Sequence, residues 1–343
     1  MTARSSPGRL YLLRAVRRMR RLVSIASAAA LLVAAVTAAQ ASDDSWPQRP
    51  IRLIVPFPAG ASTDVVSRVM GQRLSQDLGQ QIVIENRAGA SGNIGADAIA
   101  KAPPDGYTIG IATASTHAVA ASISANLPYD PIKDFAPVGM LGSQPYVLVI
   151  HPTLPARNVA ELIALARAKP GTLNYGSAGV ASVAHLATAL FANMAGIDIV
   201  HVPYKSSAQS ATDIITGRLD MQFATIAPSF ANIRAGQLRA LAVSGKTRVA
   251  VLAEIPTVAE SGVPGYDADL WASLVAPSAT PAAILARLNR VVNEILNSPA
   301  GTQALVAQGM MPEPGPPEAL TERIRADIGK WRDVATKAGI RAE

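Results

Sequence analysis

The sequence predicts an α/β protein whose mainly parallel sheets are covered by helices, with chain enough for two lobes. Apolar strand-like runs alternate with helical patterns along its length. Gly and Pro punctuate the junctions, as in Pro103-Pro104-Asp105-Gly106, Lys169-Pro170-Gly171 and Gly262-Val263-Pro264-Gly265. Roughly 300 residues remain behind an N-terminal leader, which suffices for two lobes of ordinary size.

The leader comes first. Arg14, Arg17, Arg18, Arg20 and Arg21 precede an apolar stretch from Leu22 to Ala39, and Ala39-Gln40-Ala41 supplies a small-x-small cleavage pattern. Residues 1–41 are therefore expected to be a removable export signal rather than a membrane anchor. Met19 offers a second, more ordinary start. Seven of the 31 basic residues fall before Ser42, so removing them leaves 24 against 24 acidic residues. The basic excess belongs to the leader, which argues against nucleic acid as a partner. The absence of Cys excludes disulfides, thiol chemistry, Cys-based zinc sites and a lipid-anchored Cys. The expectation is an unanchored protein of a bacterial periplasm.

The first strand, Ile51–Val55, runs into Pro56-Phe57-Pro58-Ala59-Gly60-Ala61-Ser62-Thr63-Asp64 and then into a helix over 63–78. In that helix Val65, Val66, Val69, Met70, Leu74 and Leu78 repeat at one-, three- and four-residue spacing. A strand, a tight loop and a helix start rich in Ser, Thr and Asp is a recurrent anion pocket, because first-turn N–H groups have no internal partner. Further strands are predicted at 81–85, 108–112, 146–150, 173–175, 199–202, 221–224, 239–244 and 270–276. Further helices are predicted at 94–101, 159–168, 182–195, 208–216, 229–234, 281–297, 301–308 and 317–338. Charges three or four residues apart in the last helix read as a solvated face.

Enzyme signatures are missing. There is no G-x-S-x-G elbow, and His117, His151, His185 and His201 follow no nucleophile–base pattern. No H-E-x-x-H occurs, and Gly89, Gly92 and Gly95 are spaced G-x-x-G-x-x-G, which fails the dinucleotide fingerprint. A hydrolase is the least favoured reading, and no cofactor or metal is expected.

Several stretches resemble one family in order along the chain. They are Ile51–Asp64, Glu85-Asn86-Arg87-Ala88-Gly89-Ala90-Ser91-Gly92-Asn93-Ile94-Gly95, Pro104-Asp105-Gly106-Tyr107-Thr108, 127–135, Val202-Pro203-Tyr204-Lys205 and 255–260. They are similar to the substrate-binding receptors of tripartite tricarboxylate transporters, the Bug-type proteins. The resemblance implies a two-lobed periplasmic-binding-protein fold of type II kind, with lobes 42–145 plus 270–343 and 146–269 joined by crossover strands. It also implies a small organic carboxylate in the cleft, held by a monomer and delivered to membrane permease subunits. Presentation of the ligand to a membrane signalling protein is the alternative.

The candidate ligand contacts follow. Phe57, Gly60, Ala61, Ser62 and Thr63 form a first wall, with Phe57 covering an apolar part of the ligand and Gly60 to Thr63 offering N–H groups. Ala61 stands where relatives carry a second Gly, and its Cβ narrows the approach. Asp64 would repel an anion and is expected to be structural. Ser115 and Thr116 extend this wall, with His117 beside them. By resemblance Ser177, Gly179 and Ser182 form the second anion loop, with His185 one turn further on. Tyr204 and Ala224 complete the list, Lys205 lying at the rim. Ala224 replaces an Asp of relatives, which points to a carboxylate without an amino group.

Overall fold

The computed structural model describes residues 46–124, 126–204 and 206–341, so the leader and Lys205 lie outside the described residues. Arg49–Glu343 form one compact unit, to which the following refers. Its elements in chain order are β1 (Ile51–Val55), α1 (Ser62–Leu78), β2 (Ile82–Asn86), α2 (Asn93–Ala100), β3 (Thr108–Thr113) and α3 (Ala120–Ile123). Then come β4 (Phe135–Ile150), α4 (Val159–Ala168), β5 (Asn174–Ser177), α5 (Val183–Ala195), β6 (Val200–Pro203), α6 (Ser207–Ile215), β7 (Met221–Thr225) and α7 (Ile226–Arg234). The chain closes with β8 (Arg239–Val243), β9 (Asp269–Pro277), α8 (Ala282–Asn297), α9 (Pro299–Val306), β10 (Met311–Pro312) and α10 (Glu318–Ala338).

The strands run in the order β2-β1-β3-β9-β4-β7-β5-β6, with β8 and β10 also paired to β4. Parallel pairs occupy the two ends: β1 with β2 and β3, and β5 with β6 and β7. The middle is antiparallel, because β9 pairs with both β3 and β4, and β4 with β7 and β8. The sheet is thus mixed rather than mainly parallel. The cause is β4, a single strand of 16 residues that pairs with β9 over 135–145 and with β7 over 146–150. Its register shifts near Pro137 and Gly142, bulges that let a Pro- and Gly-bearing segment stay in the ladder.

Burial explains the composition of these strands. Ile51, Leu53, Ile54 and Val55 are all fully buried, as expected of a strand covered on both faces. In the other half, Val147 and Val149 pack on one face while Leu148 and Ile150 join the larger core. Trp271 and Trp331 are wholly buried in that larger core, where α10 docks on the central strands. Trp271 donates its indole N–H to Asp327 of α10 at 2.7 Å, which fixes that helix against β9.

The register sets the geometry that matters for function. β3 ends at Thr113, opposite Ala272 of β9, which is itself opposite Gly142 of β4. β7 runs the other way along β4 and ends at Thr225, opposite Tyr146. The carboxyl ends of the two parallel groups therefore face each other across four residues of β4, about 13 Å at the usual strand rise. Both sets of helix starts open onto that gap.

A candidate ligand cleft between two helix-start loops

The first wall is built around Asp64. Its carboxylate is 2% exposed and accepts from Gly60 N–H, from Arg68 Nε and from Asn86 Nδ2, each at 2.9 Å. Burial alone would raise its pKa, but the hydrogen bonds from Arg68, Gly60 and Asn86 outweigh it and hold the carboxyl below its usual value. Asp64 is the clamp of the loop, as expected of a structural carboxylate. The clamp has a consequence for the donors. Gly60 N–H is used by Asp64 and Ala61 N–H by the Pro58 carbonyl, so neither is the open donor the sequence suggested. The N-cap, Ala61, contributes no side-chain cap to α1. The first-turn N–H groups of Ser62 and Thr63 thus have no partner within the helix and remain as the donors of this wall. Gly60 is left to supply its positive φ of 82°, where a side chain would be strained.

Phe57 is half-buried beside the left-handed Gly92; a Cβ on Gly92 would lie 3.2 Å from the Phe57 ring and 2.7 Å from Thr116 Cγ2. Thr116 corrects the reading of the next loop. It is fully buried, and its hydroxyl closes a capping box with Thr113 and contacts His117 Nδ1 at 2.9 Å. It shapes the wall from behind, and the half-buried Ser115 is the more accessible residue there. His117 is a core residue: its ring meets Phe135 edge-on at 4.4 Å, and burial pushes its pKa down to about 3.

On the opposite wall the predicted hydroxyls turn inward. Ser177 is 1% exposed and donates to the Gly179 carbonyl at 2.9 Å, while its oxygen lies 2.7 Å from His201 Nε2. Ser182 donates to the same carbonyl and caps α5 through His185 N–H. Both serines brace the loop from within because three donors converge on one carbonyl. That leaves Ala178 and Val180, both exposed, to present their N–H groups, which have no acceptor in the chain among the described residues. Gly179 turns the chain between them at φ 114°. Tyr204 is also committed elsewhere, since its hydroxyl donates to Asp213 at 2.9 Å. Ala224 is wholly buried in the core formed with Val147, Ile214 and Val243, so its side chain does not line the gap.

The comparisons with known proteins agree with this architecture. The family model for the tripartite tricarboxylate transporter family receptor matches residues 66–340. This chain belongs to that family. Protein BugT of Bordetella pertussis is 39% identical over 303 residues, covering 88% of this chain and 93% of BugT. The solved structure of R. palustris Rpa4515 with adipate is 40% identical, with TM-score 0.80, covering 86% of this chain and 99% of that one. MatC of Rhodopseudomonas palustris with bound malate is 30% identical, with TM-score 0.74, over 84% and 99%. The fold of this tricarboxylate-transporter-type receptor is accordingly that of the periplasmic binding proteins.

Two residues of the receptor's cleft escaped the sequence reading. Gln144 sits on β4 midway between Gly142 and Tyr146, 7% exposed. It accepts from Ser62 Oγ at 2.9 Å and donates to the Gln308 carbonyl at 3.1 Å, tying the first wall to the turn after α9. Thr225, the N-cap of α7, provides no side-chain cap, so a second helix opens on the gap with free first-turn donors. The left-handed Gly309 packs beside Ile226 at the start of that helix. A lone Gln ahead of Pro145 carries no sequence signal, since its role depends on a partner 82 residues away.

Proposed function

We propose that this receptor captures a small organic carboxylate in the gap between the two helix-start loops and delivers it to the permease subunits of a tripartite membrane transporter. Export to the periplasm, a monomeric state and the absence of catalysis are part of this reading. The observation that carries it is the facing of two strand-end loops whose open donors are N–H groups: Ser62 and Thr63 on one side, Ala178 and Val180 on the other. Main-chain donors at helix starts hold an anion without a matched cation. The described ion pairs of this wall agree, because Arg68 is turned onto Asp64 rather than into the gap. Relatives solved with adipate and malate support the ligand class. The two halves, 42–145 plus 270–343 and 146–269, would act as lobes moving about β4 and β9, with the ligand favouring the closed form through contacts the open form lacks.

The test is calorimetric titration with mono-, di- and tricarboxylates, including adipate and malate, beside a neutral sugar and a peptide. Binding confined to carboxylates is expected, with the ligand recovered chemically unchanged. Binding of the sugar or peptide alone would overturn the assignment.

A further inference from the structure

Behind the second loop lies a pair of histidines that the ligand reading does not use. His185, in the first turn of α5, and His201, on β6, stack face to face with centroids 3.7 Å apart and planes at 13°. Tyr175 of β5 lies beside the pair, its ring centroid 5.0 Å from His201 and 6.1 Å from His185. Each imidazole reaches one residue of the loop. His185 Nδ1 accepts the Ala181 N–H at 3.1 Å, and His201 Nε2 meets Ser177 Oγ at 2.7 Å.

These contacts fix the protons. A ring nitrogen that accepts from a backbone N–H is bare, so His185 carries its proton on Nε2. The single proton of the Ser177 hydroxyl goes to the Gly179 carbonyl, so His201 donates from Nε2. The surroundings keep both rings neutral. Burial lowers the pKa of His185 to about 4, with His201 adding repulsion, and burial lowers His201 as well. Tyr175, the other titratable group against the pair, is pushed upward by burial and stays a neutral phenol. No ion pair engages either ring among the described residues.

Ala181 is the residue at stake. Its φ is 61°, a left-handed conformation that an L side chain resists. It stands between the open N–H of Val180 and Ser182, the N-cap of α5. An Ala in that conformation persists only where its surroundings impose it, and its own N–H is bonded to His185 Nδ1 while Ser182 closes the turn onto the Gly179 carbonyl.

We propose that His185 is a positioning residue of the ligand site: stacked on His201, it holds Ala181 in the left-handed conformation through its bare Nδ1, and thereby sets the donors Ala178 and Val180 for the ligand. The proposal rests on the carboxylate-receptor reading above. It also assigns His201 a supporting part, as the plane against which His185 is held and as the donor that keeps the Ser177 hydroxyl on Gly179.

Four variants test it: His185→Asn, whose side-chain oxygen can replace Nδ1 as acceptor, His185→Leu, which has no acceptor, Ala181→Gly, and the double variant Ala181→Gly/His185→Leu. Adipate and malate are the calorimetric probes at pH 7.5. His185→Leu is expected to weaken binding about tenfold, and His185→Asn to stay within about threefold of the starting protein. Because Gly adopts positive φ freely, His185→Leu should weaken binding far less in the Ala181→Gly background. An equal loss in both backgrounds, or a loss with Asn as large as with Leu, overturns the proposal.

A ligand-free arm reads the same contact by nitrogen NMR. The expected signature is a bare Nδ1 on His185 and an Ala181 amide protected from exchange, with protection retained in His185→Asn. A protonated Nδ1 or an unprotected Ala181 amide overturns the positioning role even if His185→Leu fails to fold. A protein that binds no carboxylate while showing the NMR signature would instead refute the ligand class.

Discussion

Asp269 gives the sharpest quantitative expectation. It begins β9 opposite Pro145, where β4 passes from one half of the sheet to the other. Its carboxylate accepts from Ser244 Oγ at 3.2 Å, and Ser244 in turn accepts Tyr146 N–H at 2.8 Å. Burial, then the charge of Asp267, raise its pKa from 3.8 to about 7 despite the opposing pull of Arg323, Ser244 and Lys330. A raised carboxyl makes the folded state hold its proton longer than the unfolded chain does. Stability is therefore lost as pH rises from near 4 to near 7 and is level above that. With 1.36 kcal/mol per pKa step, the ionised carboxylate costs the fold on the order of 4 kcal/mol at pH 8.5 and about 1 kcal/mol at pH 4.5. Asp269→Asn keeps an acceptor for Ser244 and removes the ionisation. At roughly 2 °C per kcal/mol for a chain this long, its Tm advantage should fall from about 8 °C at pH 8.5 to about 2 °C at pH 4.5. Differential scanning calorimetry of both proteins across that range reads it, and titrating groups not coupled to Asp269 cancel in the difference. A Tm difference independent of pH would refute the reasoning.

Three further perturbations follow from the first wall. Asp64→Asn exchanges an anionic acceptor for an amide facing the same three donors, and should cost about 2 kcal/mol by urea denaturation at pH 7. Because the Asp64 carboxyl lies below its usual pKa, that difference is present at neutral pH and shrinks as pH falls through the folded value. Gln144→Ala breaks the bridge from Ser62 to Gln308 and should weaken carboxylate binding about tenfold, with a stability change of about 1 kcal/mol. In Gly95→Ala the new methyl would lie 2.6 Å from Pro56 Cα and 2.7 Å from the Arg87 carbonyl. Neither atom is the end of a flexible side chain, so a loss of about 1–3 kcal/mol in denaturation is expected, together with a displaced Pro56 loop.

The local elements were legible in the sequence to within a few residues because each carries its own signal. Helix 159–168 matches α4 at both ends, where Asn158 caps through Glu161 N–H. The start of α1 lies one residue from its prediction, at the Ser-Thr-Asp cluster. β4 was read only from Tyr146, since Pro137, Gly139, Gly142 and Pro145 mimic loop chemistry and the bulges that accommodate them depend on β9. The antiparallel centre was missed for the same reason. At the site, sequence reasoning located both loops and misjudged what they present. Ser177, Thr116 and Ser182 are hydrogen-bonding residues in the right loops, but buried acceptors such as the Gly179 carbonyl and the Thr113 hydroxyl claim them. These acceptors lie two or three residues away, so local turn and capping motifs had claimed the hydroxyls before any ligand could.

The donors left open at Ser62, Thr63, Ala178 and Val180 share one property: they belong to the main chain. An alanine scan of the cleft leaves every one of them in place, and reports only on residues that shape it. Among genetically encoded replacements, proline alone removes such a donor, and it does so at the expense of the turn itself. On the proposed function, the donors offered to the anion are therefore not removed by ordinary mutation. Side chains around it, such as Ala61 at the neck of the first loop, are free to vary the size and shape of what fits. On that function, single substitutions here change which carboxylate fits and how tightly, while the donors themselves stay in place.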